Sequence, residues 1–402
     1  MAKPVSASEV PALLSASPLA VILDVRSRAK FLSDGAVDGA QPAPAHAFSS
    51  RHLPDDLATP VILVGGDDSD SETASLAARA ATEWGDRAHV SWVQGGFRAW
   101  REAGLAVVVK PLALPSIKMF YESVTGTCQF VVTDDETLST VILDSVLDFD
   151  PVKGAISTES ADKILQFVRS HGLKVERIIE THVHADHLTA AQYLKRELGG
   201  TALVCIGEGI RTVQATFKDR LNMPDLATDG SQFDELFEDN STYTVGTLPA
   251  RVLNTPGHTS DSTSQLIGGA IFVGDSIFQP DAGTARCDFP GGDAAVLYKS
   301  ISRLYDLPRF VQMYVGHDYC PNGRPLKFHA SVQEQASSNM HIRDGTSLDE
   351  FVKVRTERDA KLGNPRLLFY SVQFNARAGH LPPANDKGFA FFHVPIKAPA
   401  HL

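Results

Sequence analysis

No run of apolar residues in this 402-residue chain approaches the roughly 18–20 needed to cross a bilayer as a helix. The N-terminal stretch MAKPVSASEVPALL has one lysine and no long apolar core, so no secretory signal is expected. Cysteine is scarce. Cys128, Cys205, Cys287 and Cys320 lie far apart with no Cys-x-x-Cys pair, which excludes a disulfide framework and suits a reducing compartment. Positive charge is also in deficit: 37 Lys and Arg face 48 Asp and Glu, a net charge of -11. That balance argues against nucleic acid or an anionic membrane as partner. With 43% hydrophobic and 21% charged residues, a cytoplasmic globular enzyme of two or three domains is expected.

Residues 1–110 alternate between short runs rich in Val, Ile and Leu (LAVILDVR, TPVILVGG, AHVSWVQ) and helical runs (SETASLAARAATEW, GGFRAWREAG). This alternation predicts an α/β domain with a parallel sheet. Ser71 is the expected N-cap of the Ala-rich helix, and Gly104 closes the last one. Pro111 and Pro115 mark a linker over 111–118, and a second domain is expected over 119–402. Met119 to Asp150 has the pattern of an antiparallel meander. ESADKILQFVRSHG predicts a helix that buries Ile164, Leu165 and Val168, and VERIIE predicts a strand. Leu188, Ala191, Leu194 and Leu198 fall at helical spacing.

The stretches LDVRS, AVDGAQPAP and WVQGGFRAWREAGLAV resemble a rhodanese domain. The resemblance implies a catalytic cysteine at the end of the central strand, but here Gly65 or Gly66 stands at that place. Asp67, Asp68, Asp70 and Glu72 follow, and they would oppose an anionic sulfur. A covalent persulfide is therefore not expected on this domain. It remains as a docking module for a protein partner or as a retained structural lobe.

THVHADHLTAA places His182, His184, Asp186 and His187 on a strand-to-helix loop. Isolated histidines such as His46, His52, His89 and His171 are ordinary solvated or core residues. Coordinating side chains at fixed offsets on one loop point instead to metal. Downstream, RVLNTPGHTSDS, AIFVGDSIF and VQMYVGHDY each end an apolar strand at one coordinating residue: His258, Asp275 and His317. Strands of one sheet would bring these ends together beside the His-rich loop.

This order of residues, from about Met119 to Tyr319, resembles the metallo-β-lactamase superfamily. The resemblance implies an αββα sandwich following the rhodanese-like parallel-sheet domain, an α/β chain throughout. It also suggests a homodimer. Two ligand sets stay open. In one, His182, His184 and His258 hold one zinc, Asp186, His187 and His317 hold a second, and Asp275 bridges, as in a di-zinc hydrolase of a thioester or lactone. In the other, His182, His258 and Asp275 form a facial triad for one Fe(II) per chain, and the remaining residues support it.

The run Arg286-Cys287-Asp288-Phe289 and the GHDY at Gly316–Tyr319 are similar to the persulfide dioxygenases. That similarity implies a small persulfide such as glutathione persulfide and O2 as substrates. It also implies Arg286, Thr259 and Tyr319 as substrate-binding residues, with Arg286 and Tyr319 catalytic. Salt-bridging of Arg286 to Asp288, a satisfied core hydroxyl on Tyr319 and turn closure by Thr259 are the alternatives. Cys287 is expected to be a buried thiol rather than a sulfur relay. The long C-terminal stretch from Phe351 to Pro383 resembles the bacterial β-lactamase-like hydrolase branch, and His341, His380 and His393 are expected to be surface or structural residues. A non-catalytic scaffold is the third reading.

Overall fold

The computed structural model describes residues 2–17, 20–27, 30–31, 34, 36–37, 40–54, 56–67, 70–83, 87, 89–108, 114–396 and 398. Among them no helix is long and apolar enough to cross a membrane. Part of the expected linker, 111–113, lies outside the described residues, as does Asp68. The chain divides into two compact units. One holds Met1–Lys118 with Thr133–Leu138 and Gly246–Leu248, and the other holds the remainder. Within the first unit, Asp135 accepts a hydrogen bond from Arg51 at 2.8 Å and pairs with His52 at 3.1 Å.

The first unit is built on a five-stranded sheet in the order Lys3–Val5, Val90–Val93, Val61–Val64, Val21–Asp24 and Gln41–Pro42, with every pair parallel. VILV and VILD take the central places because β-branched and leucine side chains pack on both faces of a strand. Leu23, Val61 and Leu63 meet Leu76, Ala77, Ala80 and Ala81 of the helix Asp70–Thr82. Ile22, Ile62 and Val64 meet Val10, Phe97 and Trp100 on the other face. Ser71 is not the cap: the helix already includes Asp70, which leaves Ser71 inside the first turn. Gly104, at φ +70°, ends the helix Gly96–Glu102 as expected.

The second unit holds two six-stranded sheets. One runs in the order Glu235–Phe237, Leu203–Gly207, Lys174–Ile179, Ser139–Leu143, Thr127–Thr133 and Ser116–Glu122. The other runs Thr242–Val245, Leu248–Asn254, Thr263–Ile267, Ala270–Phe272, Gln312–Tyr314 and His329–Ser331. Their inner faces meet through aromatics: Phe130 packs edge-on against Phe272 at 5.2 Å and Tyr314 at 5.7 Å. The helix Ala294–Tyr305 buries Leu297, Ile301 and Leu304 beside Ile271 and Met313, and the helix Ala191–Glu197 buries Ala191 and Leu194 on the first sheet's side. This is the expected αββα layering.

Two local expectations fail. The meander stops at three strands. Ser139–Leu143 pairs in parallel with Lys174–Ile179, and Val146–Asp150 leaves to pair with Ala155–Ser157 and Leu188–Thr189. Asp144, at φ +52°, turns the chain out of the sheet. Leu188 is therefore a strand residue, and the helix after the histidine loop begins at Ala191.

His341 is structural, as expected. It is buried, and its Nδ1 accepts the Thr284 N–H at 2.9 Å, which requires a neutral ring. Burial, then the Arg358 and Arg355 cations, push its pKa down to about 4. An unfolded histidine titrates at about 6.5. The unfolded chain therefore takes up this proton first, and stability falls with pH between about 6.5 and about 4. Exchanging His341 for Gln is expected to flatten this part of the acid limb in urea-midpoint measurements. Parallel pH profiles for variant and parent would contradict the assignment.

Candidate metal centre

The strands Leu248–Asn254, Ala270–Phe272 and Gln312–Tyr314 all run one way, because Thr263–Ile267 is antiparallel to both of its neighbours and the last pair is parallel. Their C-terminal ends deliver His258, Asp275 and His317 to one edge. The His182–His187 loop follows Lys174–Ile179, a strand of the other sheet. The site therefore spans the ends of the two sheets. Two glycines permit the close approach. A side chain at Gly257 (φ +134°) would lie 2.4 Å from the Leu297 backbone, and one at Gly316 would lie 2.7 Å from the Asp275 carboxylate.

Four of the imidazoles have one nitrogen tied to the protein. His182 Nδ1 lies 3.1 Å from Thr181 Oγ1, which itself donates to Asp144. His258 Nδ1 donates to the Arg286 carbonyl at 2.7 Å, and His187 Nδ1 donates to the Leu188 carbonyl at 3.1 Å. His184 is held at the opposite nitrogen: Nε2 lies 3.0 Å from Asp144 and 3.3 Å from Glu180. Asn375, from the helix Leu368–Asn375, donates to the carbonyls of His184 and His187 at 2.8 Å and accepts the Thr189 N–H at 2.9 Å. The Val183 N–H donates to Asp261 at 2.8 Å. These bonds fix tautomer and ring orientation, which is how ligands are readied for metal.

All the expected ligand residues come together. His182, His258 and Asp275 form one fully buried group whose coordinating atoms lie within 4.8 Å of one another. His184, Asp186 and His187 form a second group, and Asp144, Glu180 and His184 a third. Asp275 stands between the halves: Oδ2 is 3.7 Å from His258 and 4.0 Å from His182, while Oδ1 is 3.5 Å from His317. His317 Nε2 is also 3.4 Å from Asp186. Burial, then the neighbouring imidazoles, hold the His182 pKa well below its usual value, so it is a neutral donor. Burial opposes charge on His184, but the Asp144 and Glu180 carboxylates override it and raise its pKa well above normal. Asp186, despite burial, is pulled down to about 2 by His187, His317 and His184.

The donor set fits a metal ion. His182 Nε2, His184 Nδ1, His187 Nε2 and Asp275 Oδ1 are buried without a hydrogen-bond partner. Each such atom costs about 1–3 kcal/mol if left alone, and a shared cation would satisfy several together.

The other expected site residues are less uniform. The Arg286 guanidinium is tied to Asp288 at 2.6 and 2.7 Å and to the Gly363 carbonyl at 2.7 Å, and it lies over Phe289. Its backbone carbonyl, not its side chain, reaches His258. Thr259 Oγ1 lies 2.7 Å from Ser262 Oγ, a bond that closes its turn. Tyr319 is not in the core: it is 59% exposed and stacks on His317 at 5.5 Å. The Cys287 thiol is buried, and burial, then Asp359, push its pKa up to about 12, which leaves little thiolate for a relay.

In the N-terminal unit, aspartates that follow the central strand accept backbone N–H groups. The strand Val61–Val64 ends at Gly65–Gly66, as expected. Asp70 accepts the Gly95 N–H at 2.9 Å, and Asp67 accepts the Arg98 N–H at 2.8 Å.

Sequence reasoning missed Asp144, Glu180, Asp261 and Asn375. Asp144 had a signal, since it ends the apolar run TVIL as Asp275 ends AIFVG. Glu180 directly precedes the motif. Asn375 had none.

Residues 128–317 match a family model described as the metallo-beta-lactamase superfamily, and residues 6–103 match one described as a rhodanese-like domain. The protein named glyoxylase B2 of Dictyostelium discoideum is 46% identical over 282 residues, 70% of this chain and 96% of its own length. A probable metallo-hydrolase of Burkholderia pseudomallei is 42% identical over 294 residues, 70% of this chain and 99% of its own. The mitochondrial persulfide dioxygenase ETHE1 of Homo sapiens is 26% identical over 270 residues, 66% of this chain and 90% of its own. The crystal structure of ETHE1 from Myxococcus xanthus is 29% identical with a TM-score of 0.53, covering 66% of this chain and 99% of that one.

Exchanging Asn375 for Ala removes the backbone tie on the histidine loop. Metal affinity, measured by chelator competition, is expected to fall about 10–100-fold. Unchanged affinity in a folded variant would show that the loop holds its shape without Asn375.

Proposed function

This chain belongs to the metallo-beta-lactamase superfamily and carries an N-terminal rhodanese-like domain, and on that premise we propose that it is an iron-dependent persulfide dioxygenase. It is a metal-dependent enzyme in this reading, taking a small persulfide and O2 to a thiol and sulfite. The outer sulfur gives four electrons to O2, and one water supplies the third oxygen of sulfite. The S–S bond breaks, and the inner sulfur leaves as the thiol.

The observation that carries the reading is the His182, His258 and Asp275 group: two imidazoles and one carboxylate, buried and drawn together. Fe(II) held by these three residues would supply the redox and O2 chemistry. The chain's own residues do the positioning. Thr181 and the Arg286 carbonyl aim His182 and His258 by holding their Nδ1 atoms. Arg286 is thus a positioning residue through its backbone, while Asp288 and Gly363 occupy its guanidinium. Tyr319, exposed and stacked on His317, offers its hydroxyl at the mouth of the site to orient the substrate. Thr259 shapes the His258 turn. The similarity to ETHE1 proteins supports the same reading.

A second reading, a di-zinc hydrolase of a thioester or lactone, draws on two observations. His184 Nδ1 and His187 Nε2 are buried without partners beside Asp186, which offers a second metal position. The relatives above 40% identity also include one named a metallo-hydrolase.

The test is O2 uptake by anaerobically purified, Fe(II)-loaded protein with glutathione persulfide, beside a zinc-loaded sample. Uptake with sulfite release from the iron form alone is expected. Thioester turnover by the zinc form without O2, and no uptake by either, would replace the dioxygenase with the hydrolase.

A further inference from the structure

The peptide between Arg286 and Cys287 is hydrogen-bonded at both of its polar groups. Its carbonyl accepts His258 Nδ1–H at 2.7 Å, and its N–H, on Cys287, donates to Asp359 Oδ2 at 2.8 Å. Asp359 is the last residue of the helix Leu348–Asp359, beyond the 128–317 segment matched by the superfamily model. That is an unfavourable place for an anion, because the unpaired carbonyls of a helix C-terminus repel negative charge. Burial of the carboxylate adds to the cost. Arg355, one turn earlier and also buried, offsets both: its Nε and Nη2 bond Asp359 Oδ1 at 3.0 and 2.7 Å. Arg355 Nη1 donates to the Thr284 carbonyl at 2.8 Å, so the pair grips the loop over residues 284–287 at two points. Oδ2 is left for Cys287. An unbroken chain of bonds therefore runs from guanidinium through carboxylate and peptide to the His258 imidazole. The far nitrogen of that ring, Nε2, lies 3.7 Å from Asp275 Oδ2 in the metal centre.

We propose that Asp359 is a positioning residue of the metal centre and acts on His258 through the Arg286–Cys287 peptide. Two effects follow. A hydrogen bond to an ionised acceptor is roughly twice as strong as one to a neutral group, so the carboxylate fixes the peptide plane firmly. Hydrogen bonds in a chain also polarise one another. An anion on the N–H makes the carbonyl a better acceptor, and His258 becomes a stronger donor toward a cation at Nε2. A brace for the loop would need only a neutral acceptor at Cys287, and it would not set an anion at the negative end of a helix. His258 is a ligand in both the one-iron and the two-zinc sets, so the inference goes beyond the proposed reaction and holds for either.

The test is proton NMR of the zinc-loaded full chain with isotope-labelled histidine, which needs no turnover. The His258 Nδ1–H resonance, identified by its loss in His258→Gln, reads the bond to the peptide. The His187 Nδ1–H, which donates to the Leu188 carbonyl, is the internal reference. Asp359→Asn keeps an acceptor for Cys287 and removes the charge. It is expected to move the His258 resonance upfield and to leave that of His187 in place. Asp359→Ala is expected to weaken zinc about tenfold in chelator competition, and Asp359→Asn to recover part of the loss. An unmoved His258 resonance in Asp359→Asn, equal movement of both resonances, or unchanged zinc affinity in folded Asp359→Ala would overturn the proposal. Where Asp359→Ala does not fold, the Asp359→Asn resonances decide alone. Absence of O2 uptake by the iron-loaded parent would remove the dioxygenase reading and leave this one standing.

Discussion

Burying His182, His184, His187, His258 and Asp275 in one place removes polar atoms from water, and the fold around them answers that cost. The central device is the hydrogen-bonded core of Asp144, Thr181, His184 and Glu180. Asp144 takes the Thr181 N–H at 2.7 Å, the Thr181 hydroxyl at 3.0 Å and His184 Nε2 at 3.0 Å. One carboxylate thus orients the His184 ring directly and the His182 ring through Thr181. Among the buried atoms left without a hydrogen-bond partner are His182 Nε2, His184 Nδ1, His187 Nε2 and Asp275 Oδ1, a set that a shared cation would satisfy. Loss of Asp144 would free both rings at once, which makes it a more central residue than its distance in sequence from the motif suggests.

Much of this was legible in the sequence, and the reasons differ by element. VILD and VILV are short, apolar and β-branched, a composition that fits buried parallel strands. The sandwich was implied by resemblance, while the strand stops at His258, Asp275 and His317 were visible as patterns. The fourth strand of the meander was not legible. An apolar run records burial but not which neighbour provides it, and the left-handed turn at Asp144 redirects the chain. Leu188 failed for a related reason: three-residue spacing to Ala191 mimics a helix, but Leu188 pairs with Leu147. Asn375 was beyond reach because its partners lie more than 180 positions away and an asparagine in FYSVQFNAR has no local signature.

The C-terminal stretch changes meaning in the folded protein. In sequence it was an extension with scattered histidines. In the structure it reaches the metal loop through Asn375, and it reaches the Arg286–Cys287 peptide through Asp359. His393 Nδ1 donates to the Leu221 carbonyl at 3.1 Å, so it belongs to the packing and not to the metal site. The rhodanese-like domain runs the other way. It keeps its sheet and both packed faces, but Gly65 and Gly66 end its central strand and its own aspartates take nearby amides.

The central claim is one iron held by two imidazoles and one carboxylate, with His184, Asp186, His187 and His317 in supporting roles. The most direct measurement is metal content per chain combined with X-ray absorption at the iron edge of the anaerobically loaded protein. The account predicts one iron per chain with a first shell of two histidine nitrogens and light oxygen donors. Two metals per chain with a metal–metal scattering path, or a third imidazole in the shell, would contradict it.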